Sequence, residues 1–126
     1  AKYMKIKESA ENYLEAILII QNQKGNARSI DVANYLGFSK PSVSVAMKSF
    51  REEGYVTVDD AGDLMLTEKG MEIASKMYER HQMIAKALIK LGVDEKTAYE
   101  DSCKIEHDIS DETFNAIKKH LSKIDF

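Results

Sequence analysis

The chain has 126 residues, 44% of them apolar, with a formal net charge of −3. No run of about 18 apolar residues exists to span a membrane, and a single cysteine cannot build a disulfide framework. The acidic balance gives no global sign of nucleic-acid binding, so local charge has to decide that question.

The size suits one compact unit or two small lobes sharing a core. The greasiest run, "YLEAILII" (13–20), is interrupted by Glu15. The N-terminus carries neither the apolar core nor the cleavage site of a secretory signal. A reducing compartment follows from the cysteine usage, and a cytoplasmic location is expected.

Ala10, Tyr13, Leu14, Ile17 and Leu18 recur at helical spacing and predict a first helix over about 8–23. Asn12 and Glu15 lie along another side of it. "KGNA" (24–27) breaks it. A second helix is predicted from Ser29, its expected cap, to Leu36, with Gly37 as a left-handed stop. The stretch 38–54 reads as a third helix capped by Ser39. Pro41 sits in its first turn, where a missing N–H costs little. Val43, Ala46, Met47 and Phe50 form its buried stripe.

The period then changes. "YVTVDDAGDLMLT" (55–67) alternates around a turn-rich centre and predicts a hairpin of two short strands. A long helix follows from Thr67 to Gly92, with Met71, Ala74, Met77 or Tyr78, His81, Ala85 and Leu88 on one stripe. Another is predicted over about 94–108. Ser110 caps the last, whose stripe is Phe114, Ile117, Leu121 and Ile124. The fold class expected is mostly α: a winged helix-turn-helix over 1–73, then an all-helical lobe over 74–126.

That order is the layout of a DNA reader. A helix fits the major groove and presents its N-terminal residues to base edges. The outward side of the third helix carries Lys40, Ser42, Ser44, Val45 and Lys48. Serine hydroxyls can bond to bases or phosphates, Pro41 and Val45 can touch thymine methyls, and the lysines can neutralise phosphates. Ser39, Arg28 and Ser29 are further candidates for backbone contact. Against this, residues 1–70 hold 9 basic and 10 acidic side chains, and serines on a helix are often merely solvated. The local basic, hydroxyl-rich face favours DNA.

"CKIEH" (103–107) joins a thiol, a carboxylate and an imidazole at i, i+3 and i+4, one face of a helix. All are competent ligands for divalent transition metals. A metal wants more, and His81, Asn12 and Glu15 sit on faces that otherwise pack. A lone buried cysteine or histidine is more often core than ligand, so the spacing alone leaves the matter open. Two other classes are weighed: an oxidant-sensing repressor acting through Cys103, and a metalloenzyme. No phosphate loop, H-E-x-x-H helix or acid–base pair supports an enzyme.

The chain resembles the diphtheria toxin repressor family, which includes the manganese-transport regulators. The carriers are "AENYLEAIL" (10–18), "IDVANYLGFSKPSVS" (30–44), "EEGYV" (52–56), "LTEKG" (66–70), "ERHQMIAKAL" (79–88) and "EDSCKIEHDISDE" (100–112). The resemblance implies a dimeric repressor that binds palindromic operators when loaded with Fe(II) or Mn(II) and controls metal uptake genes. By position it assigns metal ligation to Asn12, His81, Cys103, Glu106 and His107, with Glu15 matching the manganese-type members. Asn12 departs from the Met or Asp usual there. Cys103 is iron-like and Glu15 manganese-like, so the set is a hybrid. Thiolate favours Fe(II), Co(II), Ni(II) or Zn(II) over Mn(II). Fe(II) is expected, with Mn(II) and Zn(II) as alternatives. Ala85 and Tyr99 stand where an ancillary site would have ligands, and the SH3-like third domain of longer members has no counterpart.

The expected switch is an ion tying the first helix to the second lobe and so fixing the reading helices of a dimer, whose half-sites lie roughly 34 Å apart. The stripe at 114–124 and the methionine-rich stripe 71–77 are expected to supply the dimer surface. The competing reading is that they fill one internal core.

Overall fold

The computed structural model describes residues 2–123, and side chains from residue 9 to residue 123. In chain order the elements are α1 (Lys2–Lys24), α2 (Ser29–Leu36), α3 (Lys40–Glu52), β1 (Val56–Val58), β2 (Leu64–Leu66), α4 (Glu68–Lys90), α5 (Glu95–Ile105) and α6 (Asp111–Leu121). The chain divides into two compact units, residues 1–76 and 77–126.

In the first unit, α1 begins at Lys2, ahead of the predicted start. The opening stretch holds no Gly or Pro to break a helix. Leu14, Ala16 and Ile17 are fully buried. Leu14 and Ile17 share one core cluster with Val32 and Ala33 of α2, Val43, Met47 and Phe50 of α3, Val56 and Leu64 of the hairpin, and Ala74. Each fully buried Leu or Ile is worth about 1.5–3 kcal/mol over leaving it in water. Tyr13 stands edge-on to Phe38 and to Phe50, with both centroid distances 5.6 Å.

Caps set the helix-turn-helix. Arg28, not Ser29, occupies the N-cap position of α2. Its backbone N–H donates to Asp31 Oδ2 at 3.0 Å, which satisfies one end of the helix from its third residue. Gly37 ends α2 at φ 73°. Its N–H and that of Phe38 both donate to the Ala33 carbonyl, at 2.9 and 3.1 Å. Ser39 caps α3 as expected, accepting from Ser42 N–H at 3.3 Å.

The hairpin is antiparallel, with Val56 opposite Leu66 and Val58 opposite Leu64. It runs directly into α4. Thr67 Oγ1 donates to the Gly54 carbonyl at 2.7 Å and accepts from Gly70 N–H at 3.1 Å. The Tyr55 carbonyl accepts from Thr67 N–H at 3.1 Å. The start of α4 is thereby pressed onto the backbone that enters β1.

In the second unit, Met77, Ile84, Ala85, Ala98, Phe114 and Leu121 are buried. Two expectations change. Phe114 and Leu121 are only 6% and 4% exposed, so these parts of the stripe fill the chain's own core and do not wait for a second copy. A unit this small needs its amphipathic faces to close a core at all. Ala74 and Met77 are buried as well, while Met71 is exposed. Ile124 lies outside the described residues. Second, α5 stops at Ile105, with Glu106 as its C-cap in helical geometry (φ −58°, ψ −25°). His107 therefore lies in the turn that follows and not on the helix. Ser110 then caps α6 by accepting from Thr113 N–H at 3.1 Å.

Candidate metal centre and DNA-reading face

The second unit sets four of the predicted ligands in neighbouring pairs: His81 with Cys103, His81 with Glu106, and Glu106 with His107. His81 comes from the middle of α4 and is 7% exposed. Its Nε2 lies 3.1 Å from the Tyr99 carbonyl oxygen and 3.2 Å from Cys103 Sγ. A carbonyl only accepts, so an Nε2–H donated to Tyr99 would leave Nδ1 free to ligate a metal. Tyr99 holds the ring a second way, edge-on with centroids 5.8 Å apart. Ser102 Oγ donates to the same Tyr99 carbonyl at 2.9 Å.

Glu106 is 2% exposed. A ligand atom of His81 and one of its carboxylate oxygens lie within 4.8 Å of each other. His107 Nε2 is 3.5 Å from Glu106 Oε1, and both side chains are almost wholly buried. Cys103, expected inside with them, is exposed. It sits one turn before Glu106, at the rim, with only its sulfur reaching His81.

Behind these residues lies a support that the sequence does not announce. Arg80, next to His81, is buried. Its Nη1 donates to Asp111 Oδ1 at 3.1 Å and its Nη2 to the Ile109 carbonyl at 2.9 Å, and its guanidinium lies 5.1 Å from the centre of the Phe114 ring. It ties the turn carrying Glu106 and His107, and the start of α6, to α4. Arg80 falls on a side of α4 with no polar signature, and its partners are about thirty residues away, so spacing could not expose it.

The donor types suit a divalent transition metal: two imidazoles, one carboxylate and one thiol, linked in close pairs, three of the four side chains buried. In the first unit, Glu15 is buried and Asn12 half-buried on α1.

On the reading face, Lys40, Pro41, Ser42, Ser44, Val45 and Lys48 are all exposed, Val45 to 72%. Ser29, Ile30, Lys40 and Ser44 line one shallow cleft, so the N-terminal ends of α2 and α3 share a surface. Two of the predicted contacts have structural duties. Ser39 Oγ also donates to Ser42 Oγ at 2.8 Å. Arg28 is turned to the hairpin, where Nε donates to Asp63 Oδ1 at 3.1 Å.

Among the described residues no helix is long and apolar enough to cross a membrane. The family model described as the iron-dependent repressor N-terminal DNA-binding domain matches residues 5–64. The iron-dependent repressor metal-binding and dimerisation domain matches residues 67–126. An uncharacterized HTH-type transcriptional regulator of Methanocaldococcus jannaschii is 36% identical over 118 residues, 92% of this chain and 94% of that one. The transcriptional regulator MntR of Escherichia coli is 32% identical, over 93% of this chain and 76% of its own. Among solved structures, a manganese-dependent transcriptional repressor in complex with manganese superposes with a TM-score of 0.82 at 25% identity, over 90% of this chain and 52% of that one. The metal-dependent regulator MtsR gives 0.81 at 29%, over 93% and 55%. The chain thus spans about half the length of these two structures. Such relatives are transcriptional regulators, which leaves the enzyme and oxidant-sensing readings without support.

Proposed function

Because the chain belongs to the iron-dependent repressor family of metal-dependent transcriptional regulators, we propose that it represses transcription by binding operator DNA as a homodimer when loaded with a divalent transition metal. We place it in the cytoplasm, with its DNA. The observation that supports the reading is the chain of close pairs Cys103–His81, His81–Glu106 and Glu106–His107 in the second unit, together with a matched DNA-binding domain.

His81, Glu106 and His107 would hold the ion, with Cys103 supplying a thiolate from the rim. The resemblance adds Asn12 and Glu15 of α1. When bound, the metal supplies positive charge to a buried carboxylate and a common anchor for its ligands. The protein's own part is orientation. Tyr99 orients the His81 ring, and Arg80 fixes the turn behind His107. A thiolate in the set favours Fe(II), Co(II), Ni(II) or Zn(II) over Mn(II); we assign Fe(II), with Mn(II) and Zn(II) as the alternatives. Control of metal-homeostasis genes follows from such a sensor.

On DNA, Ser42, Ser44 and Val45 would face base edges and Lys40 and Lys48 the phosphates, with Ser29, Ser39 and Pro41 along the rim. Metal favours DNA only by as much as it prefers the DNA-competent geometry. Titrating an operator selected from random duplex DNA with Fe(II), Mn(II), Zn(II) or chelator is the direct test. Affinity is expected to rise by about tenfold or more with the cognate ion. Equal affinity in chelator removes the switch.

Lys48 gives a second check. Lys48→Ala is expected to weaken binding to all duplexes alike and to reduce the salt slope by about one. Measuring affinity across salt decides it; an unaltered slope takes Lys48 out of the phosphate contacts.

A further inference from the structure

The hairpin is held to the rest of the first unit by a small side-chain clamp. Arg28 Nε and Asn26 Nδ2 both donate to Asp63 Oδ1, each at 3.1 Å. Arg28 Nη2 donates to the Ala61 carbonyl in the same turn. Leu64 N–H donates to the Ala27 carbonyl at 2.7 Å, so the backbone joins the same two segments. The turn is built to present its carboxylate. Asp59 Oδ1 accepts from Ala61 N–H and Asp63 N–H, both at 2.9 Å. The hydrogen bonds from Asn26 and then Arg28 hold the Asp63 carboxyl below its ordinary value.

This clamp adjoins the reading face. Arg28 immediately precedes Ser29, which shares its cleft with Lys40 and Ser44 at the start of α3. A planar guanidinium can serve two acceptors at fixed angles, which an ammonium cannot do. The turn also carries three aspartates in five residues, 59–63. Phosphates repel such a turn more strongly the nearer it comes, so where the turn is held matters.

Resting on the DNA-binding reading above, we propose that Asn26, Arg28 and Asp63 are positioning residues for DNA recognition. They hold the hairpin at its working angle beside α3, and Arg28 is a clamp on the turn in place of a phosphate ligand.

The two roles of Arg28 predict opposite things for its partner. As a phosphate ligand, Arg28 is worth about one in the salt slope, and losing Asp63 tightens binding by removing an acid near DNA. As a clamp, it leaves the slope alone, and losing either partner weakens binding. The experiment uses wild type, Arg28→Gln, Asp63→Ala and the double variant. Each is titrated with random-sequence duplex DNA in saturating Mn(II) across salt concentrations.

Each single variant is expected to bind roughly three- to tenfold more weakly, the scale of a lost supporting contact. The double is expected to be no weaker than either single, because one interaction cannot be lost twice. Arg28→Lys keeps the charge and is expected to behave like Arg28→Gln. Mn(II) affinity and Tm are expected to stay near wild type, since an exposed ion pair adds little to stability. Asp63→Ala binding as tightly as wild type or tighter overturns the proposal. So does a slope lowered by one in Arg28→Gln alone. A wild type that binds no duplex in Mn(II), Fe(II) or Zn(II) removes the DNA reading itself, and the clamp's role with it.

Discussion

Replacing Glu106 by Gln is expected to abolish the metal response while leaving the metal-free fold intact. Glu106 is nearly the same shape as Gln and is 2% exposed, so the swap changes charge far more than packing. Burying a carboxylate is costly without a compensating cation, and an ion held by His81, Glu106 and His107 would be that compensation. Loss of a supporting partner alone costs metal sites about 10–100-fold in affinity; loss of a direct carboxylate is expected to cost at least a hundredfold. Calorimetric titration with Mn(II) and Co(II) measures this, and melting of the metal-free protein controls for the fold. His107→Ala is expected to behave alike. Co(II) also reports on sulfur: a thiolate-to-metal absorption band is expected in wild type and is lost in Cys103→Ser. Wild-type affinity in Glu106→Gln removes the site.

Gly70→Ala is expected to destabilise the first unit by about 3 kcal/mol or more. A Cβ at Gly70 falls far inside contact distance of the Tyr55 carbonyl oxygen, 3.1 Å from the Tyr55 carbonyl carbon and 3.4 Å from Leu66 Cδ2. The first two are backbone atoms that cannot rotate aside. Tyr55 is tied down on both flanks, its N–H donating to the Phe50 carbonyl at 2.9 Å and its own carbonyl accepting from Thr67. Relief therefore means lifting α4 from the hairpin. Melting followed by circular dichroism is expected to show Tm lower by roughly 10 °C or more. Glu72→Ala, two residues on and exposed, is the control, with a change within about 0.5 kcal/mol. A Gly70→Ala protein melting like wild type shows that the junction yields more easily than its bonds suggest.

Much of this architecture is written in local signals. The stripes of Leu14 and Ile17, of Val43, Met47 and Phe50, and the caps at Ser39 and Ser110 act over three or four residues, and each falls where spacing puts it. Two of the misses share one cause. Arg28 meets Asp63 across 35 residues and Arg80 meets Asp111 across 31. Nothing within a helical turn marks such pairs. The end of α5 was hidden for another reason: no Gly or Pro follows Ile105, and the helix yields because Ser110 starts the next one. His107 is thus held by a turn, although its spacing from Cys103 suggested a common helix face. The burial of Phe114 and Leu121 follows from how small the second unit is, and a stripe alone does not say what covers it.

The division of labour on α3 has a consequence for descent. Ser39 and Ser42 are occupied in closing the helix end, whereas Ser44, Val45 and Lys48 stand in solvent with no part in the core. Exchanges at those three positions cost the fold little. A duplicated copy of this gene could therefore drift to a new target sequence in single steps, each intermediate still folding, while its responsiveness to the ion is inherited unchanged.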